Sequence, residues 1–256
     1  MENAPKLKYI GLFATGYNNI DMCCAKEHGI TVCNAGSYST NAVAQQVFGY
    51  ILSYYTKVEQ YDRLVKSGAW ITSPTFSMMC YPTDELSNKT IGIIGYGSIG
   101  KTVAKIANAF DMNVLVHTRT PKTDNTVKFV DFKELLNKSD IVTVHCPLTE
   151  QSKNMFNSKT FGMMKDGAFF INTSRGGVVD EQALFDALNS GKLSSAAIDV
   201  LKEEPMRADC VLKNAKNIMI TPHSAWTPIT TRKRLIDIVS DNLSSYLSGK
   251  PKNIVF

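Results

Sequence analysis

The chain has 256 residues, 44% of them hydrophobic and 20% charged, enough to bury one large core or two modest ones, with no bias toward a fibrous or disordered protein. The formal net charge of +5 is scattered, and its longest basic block, Arg232-Lys233-Arg234, is of the kind expected on a solvated helix face, which argues against nucleic acid as a partner. No apolar stretch approaches the roughly 18 residues of a membrane span, and the first residues lack the basic, apolar and small-residue succession of a signal peptide, so a soluble, cytoplasmic protein is expected.

From the N-terminus, strands are predicted over 8–13 and 31–34, with a helix between them, then a long helix over 41–55. The stretch 67–88 mixes Pro, Ser and Thr with Trp, Phe and Met at neither period; it reads as a long irregular excursion, expected to be a dimer arm. Beyond it, strands are expected over 90–95, 113–116, 141–145, 168–172, 196–200 and 217–220, and helices over 98–110, 132–137, 158–164, 180–189 and 228–247. That alternation predicts an α/β fold with a parallel sheet covered by helices on both faces. The first forty residues supply too little to stand as a domain alone, and further elements are expected upstream of them.

Cys23, Cys24, Cys33, Cys80, Cys146 and Cys210 form no C-x-x-C pair and have no His at metal-ligand spacing. Neither a zinc site nor a disulfide scaffold is expected, only reduced, mostly buried thiols. The vicinal pair Cys23-Cys24 falls in a stretch that reads as helix.

Two groups of residues carry chemistry. IGIIGYGSIG places Gly95, Gly97 and Gly100 as Gly-x-Gly-x-x-Gly, with Ser98 and Ile99, between a predicted strand and helix. One glycine serves a tight turn, the next lets backbone approach a pyrophosphate, and the third lets helix and strand pack closely, while the helix N-terminus favours phosphate. A nicotinamide dinucleotide is the expected ligand. The following strand ends in His117-Thr118-Arg119-Thr120, without the acidic residue that usually accepts from the ribose 2'-hydroxyl. Arg119, with Thr118 and Thr120, suits a 2'-phosphate instead, so NADP is favoured over NAD; the alternative is an Arg119 that only stacks on adenine.

The second group is dispersed: Arg175, Glu204 and His223 each follow a predicted strand. Residues just past strand ends of an open α/β sheet meet in one crevice. Converting a keto acid to a hydroxy acid needs a proton donor, a cation for carboxylate and carbonyl, and a hydride donor; His, Arg and a carboxylate beside the His meet the protein's share. Each also has a plain reading: His223 a loop histidine, Arg175 a partner for Asp180, Glu204 a surface charge.

IGIIGYGSIG, HCPLT, FFINTSRGGVVDEQAL, AIDVLKEEP and ITPHSAW, in that order, resemble the D-isomer-specific 2-hydroxyacid dehydrogenases, and the similarity runs from KLKYIGLFATGYNNID to GKPKNIVF. ATGYNNID and Trp226 bring it nearest the glycerate dehydrogenase or hydroxypyruvate reductase type. The resemblance implies a Rossmann-type doubly wound parallel sheet as an NAD(P)-binding domain over 40–227, with a crossover helix and dimer arm. It also implies a smaller, partial flavodoxin-like substrate domain from 1–39 and 228–256, shortened at its N-terminal side. By the same resemblance, Arg175 binds the substrate carboxylate and carbonyl, His223 is general acid and base, and Glu204 pairs with His223. Thr15 and Gly16 offer backbone N–H groups to the carboxylate, Asp199 contacts the nicotinamide carboxamide, and Thr173, Cys146 and Pro147 line the cofactor pocket. The implied activity is hydride transfer between a nicotinamide and a small 2-keto or 2-hydroxy acid, hydroxypyruvate or glyoxylate, in a homodimer. The rival readings are a cofactor-binding corepressor-like protein and an inactive fragment.

Overall fold

In the computed structural model, which describes residues 4–120 and 122–255, the chain forms two units, one Val43–Ala225 and the other made of the stretches up to Ala42 and from Trp226 onward. The elements in order are β1 (Tyr9–Gly11), α1 (Met22–Glu27), β2 (Thr31–Cys33), α2 (Thr40–Thr56), α3 (Val58–Lys66), β3 (Thr90–Ile94), α4 (Ser98–Ala109) and β4 (Asn113–His117). They continue with β5 (Lys128–Phe129), α5 (Phe132–Lys138), β6 (Ile141–Val144), α6 (Ser158–Met163), β7 (Ala168–Asn172), α7 (Glu181–Asn189), β8 (Leu193–Ile198), β9 (Ile218–Ile220) and α8 (Ile229–Leu247).

The larger unit is built on seven parallel strands in the order β5-β4-β3-β6-β7-β8-β9. Parallel strands covered on both faces read as unbroken apolar runs, and β6 (IVTV) and β7 (AFFIN) are buried at every position. The two-residue side-chain period divides each strand between two cores: Phe169 and Ile171 join Val47, Ile51 and Ala104 on one face, while Phe170 joins Leu135, Phe161 and Leu184 on the other. Short polar side chains start the covering helices. Asp131 accepts from Glu134 N at 2.7 Å, Asn157 and Thr160 form a reciprocal capping box, and Asp180 accepts from Gln182 N and Ala183 N.

The smaller unit holds the parallel pair β1-β2, with Leu12, Ala25, Ile30 and Val32 at its core and Val255 against them. A second cluster joins Ala35 and Tyr38 to Leu235 of α8 and to Trp226. Buried Asn242 of α8 donates to Asn34 O at 2.9 Å and accepts from Asn253 Nδ2 at 2.8 Å, so its polar amide ties three stretches of chain. Arg232-Lys233-Arg234 lies on the exposed side of α8, as expected.

The expected α/β alternation is present, with three differences. Helix α3 was not foreseen, because its apolar positions Val58 and Val65 are exposed and none of its residues is buried. The two-residue β5 is too short for any period to show. Strand β8 starts at Leu193 rather than 196: its polar pair is satisfied, Ser195 donating to Asn217 O at 2.6 Å and Ser194 accepting from the Tyr54 hydroxyl at 2.8 Å, so two serines sit in a central strand. The thiols also depart from expectation. All six are free, but only Cys33 is buried, while Cys23 and Cys80 are exposed on α1 and in the irregular stretch 67–88. Among the described residues no helix is long and apolar enough to cross a membrane.

Candidate active site

Because the chain runs from β3 outward to β4 and β5, then returns to β6 and runs outward to β9, the direction of winding switches between β3 and β6. Beyond the carboxyl ends at such a switch point lies the crevice where open α/β sheets bind ligands. Along that edge, in sheet order, stand Thr118 and Arg119 after β4, the glycine loop after β3, Cys146 and Pro147 after β6, Thr173 and Arg175 after β7, Asp199 and Glu204 after β8, and His223 after β9.

The glycine loop is shaped for close approach. Gly95 has φ +96°, and a Cβ there would lie 2.7 Å from His145 O; one on Gly100 would lie 2.2 Å from Gly95 O. Gly97, the extended N-cap of α4, faces open space, and no side chain caps the helix there. The first turn of α4, with Ser98 and Ile99, therefore presents backbone N–H groups and a positive dipole end outward.

Arg119 is exposed, and no carboxylate stands in His117–Thr120. Further along, two residues that sequence reasoning passed over fold back onto the loop: Lys122 donates to Tyr96 O at 2.6 Å, and the Tyr96 hydroxyl donates to Asp124 at 2.7 Å. Burial, then the hydrogen bond to Asp124, pushes Tyr96 up to about 12, and the Thr126 hydroxyl, then Tyr96, holds Asp124 down to about 2. Only the folded loop joins these residues; no spacing signals them.

After β6, His145 is partly buried, and desolvation pushes its pKa down to about 3. Its Nε2 meets Thr143 Oγ1 at 3.0 Å, and Nδ1 has no partner among the described residues. Burial pushes the Cys146 thiol up. The Thr173 hydroxyl, after β7, is likewise buried without a partner among the described residues. An open glycine cradle, an uncapped helix start and an orphaned hydroxyl on one sheet edge fit a bound dinucleotide.

The turn carrying Arg175 is tied by Asn172, which donates to Arg175 O at 3.0 Å and accepts from Ser174 N and its hydroxyl. The guanidinium donates to Ser174 O at 2.7 Å, and among the described residues no carboxylate pairs with it; Asp180 caps α7 instead. Gly176, next in the chain, packs so tightly on Leu201 that a Cβ would lie 1.9 Å from its carbonyl carbon, which seats the β7 turn against the β8 turn. Within the latter, Glu204 Oε1 accepts from Leu201 N at 2.9 Å, and Oε2 takes the His223 Nδ1–H at 2.7 Å. With Nδ1 as donor, Nε2 is the ring nitrogen left for proton exchange.

Asp199, expected at the carboxamide, is 2% exposed, and its oxygens are engaged within the protein: Oδ1 accepts from the Thr221 hydroxyl at 2.5 Å and Ser224 N at 2.8 Å, and Oδ2 from Ala225 N at 2.9 Å. Thr15 and Gly16 belong to the other unit. There the Thr15 hydroxyl donates to Gly36 O, and Asn34 Nδ2 donates to Thr15 O at 2.7 Å, fixing the loop after β1.

The family model for the D-isomer specific 2-hydroxyacid dehydrogenase NAD binding domain matches residues 48–225. A hydroxypyruvate reductase of Blautia hydrogenotrophica is 41% identical over 99% of this chain and 80% of its own length. A glycerate dehydrogenase of Methylorubrum extorquens is 38% identical over 100% and 81%. Among solved structures, an acyclic imino acid reductase in complex with NADPH and D-Arg superposes with a TM-score of 0.88 at 34% identity, over 98% of this chain and 79% of that one.

Proposed function

The chain belongs to the D-isomer-specific 2-hydroxyacid dehydrogenases, nicotinamide-dependent oxidoreductases acting on CH–OH donors, and within that family we propose that it reduces hydroxypyruvate or glyoxylate, with Arg175, Glu204 and His223 as its catalytic set. The observation that carries this reading is the His223–Glu204 contact of 2.7 Å past the ends of adjacent strands, on the sheet edge that also carries Arg175, which has no carboxylate partner among the described residues. A bound nicotinamide supplies or accepts the hydride. Arg175 holds the substrate carboxylate and polarises its carbonyl with the N–H groups not given to Ser174. His223 delivers a proton from Nε2 to the developing alkoxide and takes it back in the reverse direction, its ring held by Glu204.

The glycine loop Gly95, Gly97, Ser98, Ile99 and Gly100 is assigned to the pyrophosphate, and Cys146, Pro147 and Thr173 to the lining of the cofactor pocket. Arg119, with Thr118 and Thr120, favours NADP, a reading supported by the missing carboxylate at the end of β4 and by an exposed guanidinium. In the smaller unit, the loop at Thr15 and Gly16 is assigned to substrate binding. The protein acts as a homodimer through α3 and stretch 67–88.

The test follows NADPH and NADH absorbance in parallel while hydroxypyruvate, glyoxylate and pyruvate are added, with His223→Gln as control. Turnover with NADPH, lost by a factor of about 10² or more in the variant, is expected. Equal turnover in the variant removes His223 from the chemistry, and a preference for NADH removes Arg119 from a phosphate role.

A further inference from the structure

His223 is a non-glycine residue at φ +52°, in the left-handed region that an L side chain enters at a cost, so something outside the residue must hold it there. The structure supplies that hold on both sides. Before His223, Thr221 continues the sheet, its N–H donating to Ile198 O at 3.0 Å, while its carbonyl accepts from His223 N at 2.9 Å. After His223, the N–H groups of Ser224 and Ala225 both end on Asp199.

One side chain closes the bracket. The Thr221 hydroxyl has a single proton, and it goes to Asp199 Oδ1 at 2.5 Å. The remaining contact of that hydroxyl, to Tyr50 of α2, must then run from the tyrosine to the threonine. Burial, the largest cause, pushes Tyr50 above its ordinary range, consistent with a phenol that keeps its proton and donates it. Tyr50 is 4% exposed and Asp199 2%, so both ends of the line Tyr50–Thr221–Asp199 are shielded from water, while Thr221 between them is partly buried.

We propose that Thr221 and Tyr50 are positioning residues: their hydroxyl chain, anchored on α2, orients Asp199 so that it clamps the residues flanking His223 and keeps the imidazole at Glu204. This rests on the role of His223 given above. The two hydroxyls act on the loop backbone through Asp199, so their loss lowers kcat more than it changes KM or cofactor affinity.

Thr221→Val keeps the shape and deletes the hydroxyl; Thr221→Ser restores it; Tyr50→Phe removes only the outer link. Each is compared with wild type and with His223→Gln for kcat, KM for hydroxypyruvate, NADPH Kd by fluorescence and Tm. Thr221→Val is expected to lose about tenfold in kcat, a part of the roughly 10²–10⁴ that a positioned general acid supplies, with KM and Kd near wild type and a Tm lowered by a buried Tyr50 hydroxyl left without its acceptor. Tyr50→Phe is expected to lose less, and Thr221→Ser to recover most of the rate. An unchanged kcat in Thr221→Val beside an inactive His223→Gln overturns the positioning role alone. A loss of the same size in Kd, or a loss of kcat that serine does not rescue, overturns it as well. An active His223→Gln removes the reading on which it rests.

Discussion

His145 shows what desolvation does to a titratable side chain in a dinucleotide-binding unit. Folded, it stays neutral down to about pH 3, whereas in an unfolded chain it takes up a proton near its ordinary 6.5. Below that value protonation therefore favours the unfolded state, and stability falls with pH by about 1.4 kcal/mol per unit until the folded pKa is reached; above it the group is neutral in both states and contributes no pH dependence. His145→Asn removes this source. Urea midpoints at pH 7.5 and 5.5 are expected to show wild type losing about 1.4 kcal/mol more than the variant over that interval. Equal losses would mean that His145 titrates freely in the folded protein. Neither the desolvation of His145 nor the engagement of Asp199 was legible in sequence: HCPLT and AIDVLKEEP mark positions past strands, while the partners of Asp199, Thr221, Ser224 and Ala225, all lie past another strand, β9, 22 to 26 residues further on.

Between elements, the turns after β7 and β8 depend on one another through Gly176. A Cβ at Gly176 would stand 1.9 Å from Leu201 C and 2.0 Å from its oxygen, both backbone, so Gly176→Ala must part the turn carrying Arg175 from the turn whose Leu201 N–H holds Glu204. We expect a cost of about 1–3 kcal/mol in stability and a loss in kcat larger than that in NADPH affinity, because the glycine loop lies on β3, two strands from β7. Gly177→Ala is the contrast: its Cβ would meet only the Leu148 side-chain tip, at 3.0 Å, which can swing aside. Should the two variants behave alike in Tm and kcat, the seating of β7 on β8 does not set the geometry. Most of this framework was readable from periodicity, since buried parallel strands announce themselves as apolar runs. What escaped was set by pairs distant in sequence: Tyr54 with Ser194 extends β8 through two serines, and Gly176 with Leu201 joins turns 25 residues apart.

At the scale of the whole molecule, the larger unit leaves apolar surface that its own folding does not use. Helix α3 and the stretch after it expose Val58 at 65%, Ile71 at 87%, Phe76 at 91% and Met79 at 93%, although Leu86 and the Tyr61–Tyr81 ring pair anchor the same stretch. Single exposed apolar residues are ordinary, but several in one continuous segment, held in shape by Trp70 Nε1 donating to Phe76 O at 3.1 Å, form a surface that water penalises. Burial against a second copy removes that cost at about 25 cal/mol per Å² of apolar area, less what association itself costs. Ile71→Lys with Met79→Lys puts two cations where such an interface would be dry. Sedimentation equilibrium at micromolar concentration is expected to give twice the chain mass for wild type and the single-chain mass for the double variant. A wild type that sediments as single chains would show that this surface serves something other than self-association, and a double variant that still pairs would place the contact on another face.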